Sequence, residues 1–81
     1  MKSLYTDDYK KFTSLLQKYR ERKGLKQDEL AKLLQKDQTL ISRYENGQVR
    51  LDFIQVRNYL NAMGYSLPDF VREFEKFRLE K

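Results

Sequence analysis

The sequence predicts an all-α fold, a compact unit of five helices. Three observations carry that expectation. Apolar residues recur at three- and four-residue spacing in five separate stretches, the period of a helix with one buried face. Four of the stretches are preceded by a residue able to cap a helix start: Thr6, Asp37, Asp52 and Ser66. The chain's three glycines, Gly24, Gly47 and Gly64, fall where the apolar period stops. No convincing strand, repeat, linker or low-complexity tract appears, so residues 1–81 read as a single domain.

The first helix is expected after Thr6, with Asp7 and Asp8 in its positively polarised first turn and Phe12, Leu15, Leu16 and Tyr19 as its core face. Basic residues and Gly24 end it. Leu25 and Lys26 lead into a second helix over 27–34, whose Leu30, Ala31 and Leu34 form one apolar stripe; Ala31 is small enough for another helix to cross closely. Gln35-Lys36-Asp37 breaks the period. Asp37 is expected to cap a third helix over 38–46 through its carboxylate, with Leu40, Ile41 and Tyr44 inward and Asn46-Gly47 as the stop. Asp52 and Gln55 have the spacing of a capping box for a fourth helix, with Phe53, Val56, Leu60 and Met63 as its expected core side. Ser66 caps a fifth, over 67–78, where Pro68 is tolerated in the first turn.

Composition narrows the function. The chain has neither cysteine nor histidine, which removes the commonest zinc ligands, thiol nucleophiles and imidazole bases. No catalytic set, metal or cofactor is expected. No apolar run approaches the ~18 residues of a membrane span, and Met1-Lys2-Ser3 opens no signal-peptide pattern. A cytoplasmic location is expected. The net charge is +5, and it is concentrated: residues 18–50 hold nine Lys/Arg against five Asp/Glu, while residues 51–81 balance at five of each. A polyanion is therefore expected to dock around the second and third helices.

The third helix supplies the chemistry. With Leu40, Ile41 and Tyr44 facing inward, Gln38, Thr39, Ser42 and Arg43 point away, a face whose donors and acceptors match base-pair edges. An amide at Gln38 can pair bidentately with adenine, and the Arg43 guanidinium can fork onto guanine or hold a phosphate. An exposed polar helix surface with no partner is the plain alternative.

From about Phe12 to Phe70 the chain resembles the lambda-repressor-like, XRE/Cro-type helix-turn-helix family. The resemblance rests on Gly24-Leu25-Lys26-Gln27, Glu29-Leu30-Ala31, Gln38-Thr39, Ile41 through Gly47 and Ala62-Met63-Gly64-Tyr65. It implies double-stranded DNA as partner, with Gln38 as a base-reading residue and Gln27 bonded to a phosphate while buttressing Gln38. It also implies backbone contacts from Asn46, Gln48 and Arg50, with Lys26 and Lys36 as further candidates, and an ion pair between Arg20 and Glu45. Two positions depart from the family pattern: Gln35 stands where a left-handed glycine is usual, and Lys36 where a buried valine is common.

Leu67, Phe70, Val71, Phe74 and Phe77 make a broad apolar stripe on the fifth helix. Exposed, it would mark a partner surface, and in the resembling family this region often forms a two-fold dimer. The alternative is that these side chains fold back on the first helix, where Tyr5 and Tyr9 also need cover. The sequence thus leads to a sequence-specific DNA-binding transcription regulator, expected to bind a pseudo-palindromic operator as a homodimer and to block or recruit polymerase. No small-molecule effector is expected. The rival expectation is a protein-interaction module, such as an antitoxin masking a toxin, that works through the fifth-helix stripe.

Overall fold

The structure, a computed structural model, describes residues 6–79, with side chains described to residue 77; Tyr5 lies outside the described residues. Five helices follow in order: α1 Asp7–Arg22, α2 Gln27–Leu34, α3 Gln38–Glu45, α4 Phe53–Ala62 and α5 Leu67–Leu79. No strand occurs among the described residues. The family of starts and stops follows from local chemistry. Thr6 Oγ1 accepts from the Tyr9 amide at 3.2 Å, and α4 opens on a reciprocal capping box. There Asp52 Oδ1 accepts from the Gln55 amide and Gln55 Oε1 from the Asp52 amide, both at 2.8 Å. Ser66 Oγ accepts from the Asp69 amide at 3.2 Å at the start of α5.

Asp37 departs from expectation. It stands at the N-cap of α3 with extended backbone, but its side chain makes no capping bond. The first turn closes instead through its carbonyl, which accepts from the Leu40 amide at 3.1 Å.

Leu15, Leu16 and Tyr19 of α1, Leu30 and Ala31 of α2, Ile41 and Tyr44 of α3, Val56, Tyr59 and Leu60 of α4, Met63, and Phe70 of α5 make one core. α1 packs on α3 and α5, α2 on α3 and α4, and α4 on α5. In α4 the expected face needs correction: Phe53 is 67% exposed, and Tyr59, at 1%, takes the core position. Residue 53 shares the angular face of 56, 60 and 63 but sits at the first position of α4, beyond the end of the core.

The α5 stripe is taken up in part by the fold. Phe70 is buried in the molecule's own core, and Leu67, Phe74 and Phe77 pack against that core. Phe12 of α1 meets Phe70 and Phe74 edge-on, with ring centroids 6.0 and 6.3 Å apart. Tyr19 lies edge-on to Phe70 at 5.1 Å. Of the five residues assigned to a dimer interface, only Val71 is exposed, at 44%. The stripe packs on α1 and the core, with Phe70 buried, Leu67, Phe74 and Phe77 half-buried and Val71 exposed.

Candidate nucleic-acid interface

Three segments make the candidate interface: the start of α2, the whole of α3 and the loop that follows it. α2 and α3 are joined by three residues, Gln35, Lys36 and Asp37, in a tight turn. Gln35 adopts φ +57° and ψ +45°, the only positive φ outside glycine among the described residues. Its amide donates to the Lys32 carbonyl at 3.1 Å, and the Lys36 amide to the Ala31 carbonyl at 2.9 Å. These bonds use carbonyls that the end of α2 would otherwise leave unpaired. Lys36 itself is exposed.

On α3 the inward anchors are Ile41 and Tyr44, both buried, with burial raising the Tyr44 phenol above its ordinary ionisation range. Their opposite is the outer face. Gln38, Thr39 and Arg43 are exposed and Ser42 is half-buried. Ser42 Oγ accepts from Asn46 Nδ2 at 3.5 Å, a long bond that links the last turn of the helix to the stop residue. Gly47, at φ +77°, lets the chain reverse. The Gln48 amide then donates to the Arg43 carbonyl at 2.9 Å. Asn46 and Gln48 are thereby exposed beside the C-terminal end of the outer face.

The orientation of α3 is tied by a buried polar centre. Glu45, on its last turn, receives Arg20 Nε at 2.6 Å on Oε2 and Arg20 Nη2 at 3.0 Å on Oε1. Gln27 Nε2 donates to Oε1 at 2.9 Å and the Tyr59 hydroxyl to Oε2 at 3.3 Å. Arg20 also donates to the Leu25 carbonyl at 2.8 Å. One carboxylate therefore joins side chains from α1, α2 and α4 to α3. The hydrogen bond to Glu45 raises Arg20's ionisation range further, against the opposing effect of burial. Burial foremost, then the Glu45 charge, pushes the Tyr59 phenol far up. The arrangement is structural: the guanidinium and phenol stay protonated and hold one geometry.

One expectation, that Gln27 buttresses Gln38, changes here. Gln27's amide nitrogen is directed to Glu45 rather than to Gln38. Arg50's guanidinium lies over the Tyr9 ring, 4.1 Å from its centroid, while the Tyr9 hydroxyl accepts from the Leu51 amide at 3.2 Å. Arg50 is therefore supported from α1. The roles of Tyr9 and Tyr59 were not drawn from the sequence. Tyr59 had a signal in its spacing with Val56, Leu60 and Met63, whereas Tyr9 and Arg50 are too far apart in the chain for any local pattern to join them.

A helix-turn-helix family model matches residues 16–70, which include α2, α3 and the buried centre. The chain belongs to the lambda-repressor/XRE-like helix-turn-helix family. That family is one of DNA-binding transcription regulators and is not typically enzymatic. No curated protein matches this helix-turn-helix chain. No helix among the described residues is long and apolar enough to cross a membrane.

Proposed function

We propose that this helix-turn-helix protein is a sequence-specific, double-stranded DNA-binding transcription regulator that sets α3 in the major groove. Gln38, Thr39, Ser42 and Arg43 read base edges; Gln27, Lys26, Lys36, Asn46, Gln48 and Arg50 hold the sugar-phosphate backbone. The observation that carries this reading is the exposed Gln38, Thr39 and Arg43 on a short helix whose other side is buried and whose end is pinned by Arg20 and Glu45. A reading helix works only if its register against the rest of the domain does not drift. Gln27 serves this reading through Glu45 as well, its amide nitrogen keeping a second hydrogen to donate to a phosphate.

On this proposal the protein acts in the cytoplasm as a repressor or activator at a pseudo-palindromic operator. Two copies occupy half-sites about 34 Å apart. On this reading their contact uses what the core leaves of the α5 stripe, the exposed Val71 and the half-buried Leu67, Phe74 and Phe77, while Phe70 serves the monomer core. The rival reading, a protein-interaction module, would use the same exposed Val71 and half-buried Leu67, Phe74 and Phe77.

Fluorescence anisotropy with the DNA upstream of the gene and with a scrambled duplex, at two salt concentrations, tests the proposal. A preference of ~10³-fold or more for the upstream DNA, abolished by Gln38→Ala with Arg43→Ala, is the expected result. Equal, weak binding to every genomic duplex tried, vanishing with salt, would reduce the basic surface to a polyelectrolyte. Lys36→Ala should weaken binding to both duplexes alike and lower the salt slope by about one.

A further inference from the structure

The loop between α3 and α4 is gripped at its far end by one side chain of α1. Tyr9 stands in the first turn of that helix, is 9% exposed, and sets its ring against Phe12 with centroids 5.2 Å apart. Two neighbouring loop residues converge on it. The Arg50 guanidinium lies 4.1 Å from the ring centroid, and the Leu51 amide donates to the phenol oxygen at 3.2 Å. The cations of Lys18, Arg22 and Lys23 stand farther from their rings, at 5.0, 5.1 and 5.2 Å. Tyr9 thus holds the side chain of one loop residue and the backbone of the next. At the near end of the loop the Gln48 amide donates to the Arg43 carbonyl of α3 at 2.9 Å. Arg50 is exposed between these two anchors.

We infer that Tyr9 is a positioning residue for DNA binding, which sets Arg50 to take a backbone phosphate. The inference rests on the reading of α3 and its flanking loop as the DNA interface. A long side chain on an exposed loop loses rotamer freedom when it grips a phosphate. Stacked on a ring already fixed in the fold, Arg50 has lost part of that freedom before DNA arrives, so less ordering remains at the moment of binding. The contact draws on the ring's quadrupole and not on the guanidinium N–H donors, so the stack and a phosphate fork are compatible. The bond from Leu51 fixes the backbone from which Arg50 projects. An apolar side chain at 50 would cover the Tyr9 ring as well; the guanidinium adds a cation to the segment 18–50, where nine Lys/Arg stand against five Asp/Glu.

The test uses the full chain and two probes, a duplex enriched by the wild-type protein from a random pool and an unrelated duplex of equal length, each titrated over a salt series. Arg50→Ala is expected to weaken binding to both by about tenfold at low salt and to lower the salt slope by about one. Tyr9→Leu should weaken binding about threefold to tenfold with the slope kept, because Arg50 still reaches its phosphate once ordered. Tyr9→Phe keeps the ring and loses the bond from Leu51, and should fall between wild type and Tyr9→Leu. In the Arg50→Ala background, Tyr9→Leu should change affinity by less than about twofold. Unchanged affinity and slope in Arg50→Ala, or a Tyr9→Leu loss of equal size with and without Arg50, would overturn the inference and leave the α3 reading intact. Wild-type protein that binds neither duplex would overturn that reading and this inference with it. Nuclear magnetic resonance of the wild type keeps the matter decidable even if Tyr9→Leu fails to fold. The Arg50 side-chain N–H resonance should be displaced by the Tyr9 ring in the free protein and should move again on adding DNA; an undisplaced resonance, or one that DNA leaves unmoved, would count against the inference.

Discussion

Gln35 and Glu45 show how single residues set the geometry of α3. Gln35 holds a left-handed conformation that costs an L side chain ~1–2 kcal/mol, while glycine there would add ~0.5–1 kcal/mol of unfolded-state freedom. The difference predicts that Gln35→Gly stabilises the fold by up to about 1 kcal/mol and Gln35→Ala leaves it nearly unchanged. Urea denaturation of the three proteins checks this; a destabilised glycine variant would mean that the Gln35 side chain contributes more than its backbone costs. Glu45 acts in the opposite sense. It and Arg20 are each only 8% exposed, so removal of the carboxylate strands a buried guanidinium along with the Gln27 and Tyr59 donors. Glu45→Ala should cost ~3–5 kcal/mol, and replacement of both Arg20 and Glu45 by apolar residues should recover part of that loss. Thermal melts of the two single variants and the double variant measure the coupling directly.

At the scale of elements, the helix starts differ in what holds them. Asp52 and Gln55 exchange two bonds of 2.8 Å, whereas Asp37 makes no side-chain capping bond. Asp52→Ala should therefore cost ~0.5–2 kcal/mol, and Asp37→Ala clearly less; equal losses in chemical denaturation would refute the distinction. The same contrast explains what was legible in the chain. Helix existence and order follow from apolar spacing and cap chemistry, both of which are local. The stripe of α2 and the inward residues of α3 were readable for that reason. Phe53 was misplaced because angular spacing names a face of a helix without saying how far along it the core extends. Asp37 was misread because residue type marks a cap position but not the side-chain rotamer. The bond between Gln27 and Glu45 spans 18 residues and that between Arg20 and Glu45 spans 25. No period or motif couples such positions; resemblance to a family joined Arg20 to Glu45 and directed Gln27 elsewhere.

Across the whole molecule, α5 is the element that closes the fold, and its chemistry gives it distinct responses to pH and to protein concentration. Hydrogen bonds from Arg22 and then Tyr19 hold the Glu73 carboxyl below the usual carboxylate range. Its contribution is thus present above the ordinary glutamate range and lost as the pH falls through the depressed folded value. Burial first, then the bond to Glu73, pushes the Tyr19 phenol up to about 12. That contribution is intact below the unfolded tyrosine value of about 10 and lost as the pH rises toward the folded one. Arg22 and Glu73 are well exposed, so Glu73→Gln should cost less than about 1 kcal/mol at neutral pH. The gap from wild type should narrow in acid, as read from denaturation midpoints across a pH series. Phe70 makes the larger difference. Its ring lies against Tyr19 and Phe12 inside one copy of the chain, so Phe70→Ala should cost ~3–5 kcal/mol. Because the contact is within the monomer, that loss should be the same at low and high protein concentration. Were Phe70 a dimer contact, the melting midpoint of the wild type would rise with concentration and that of Phe70→Ala would not. Melts over a wide concentration range, paired with sedimentation of both proteins, separate a core residue from an interface residue.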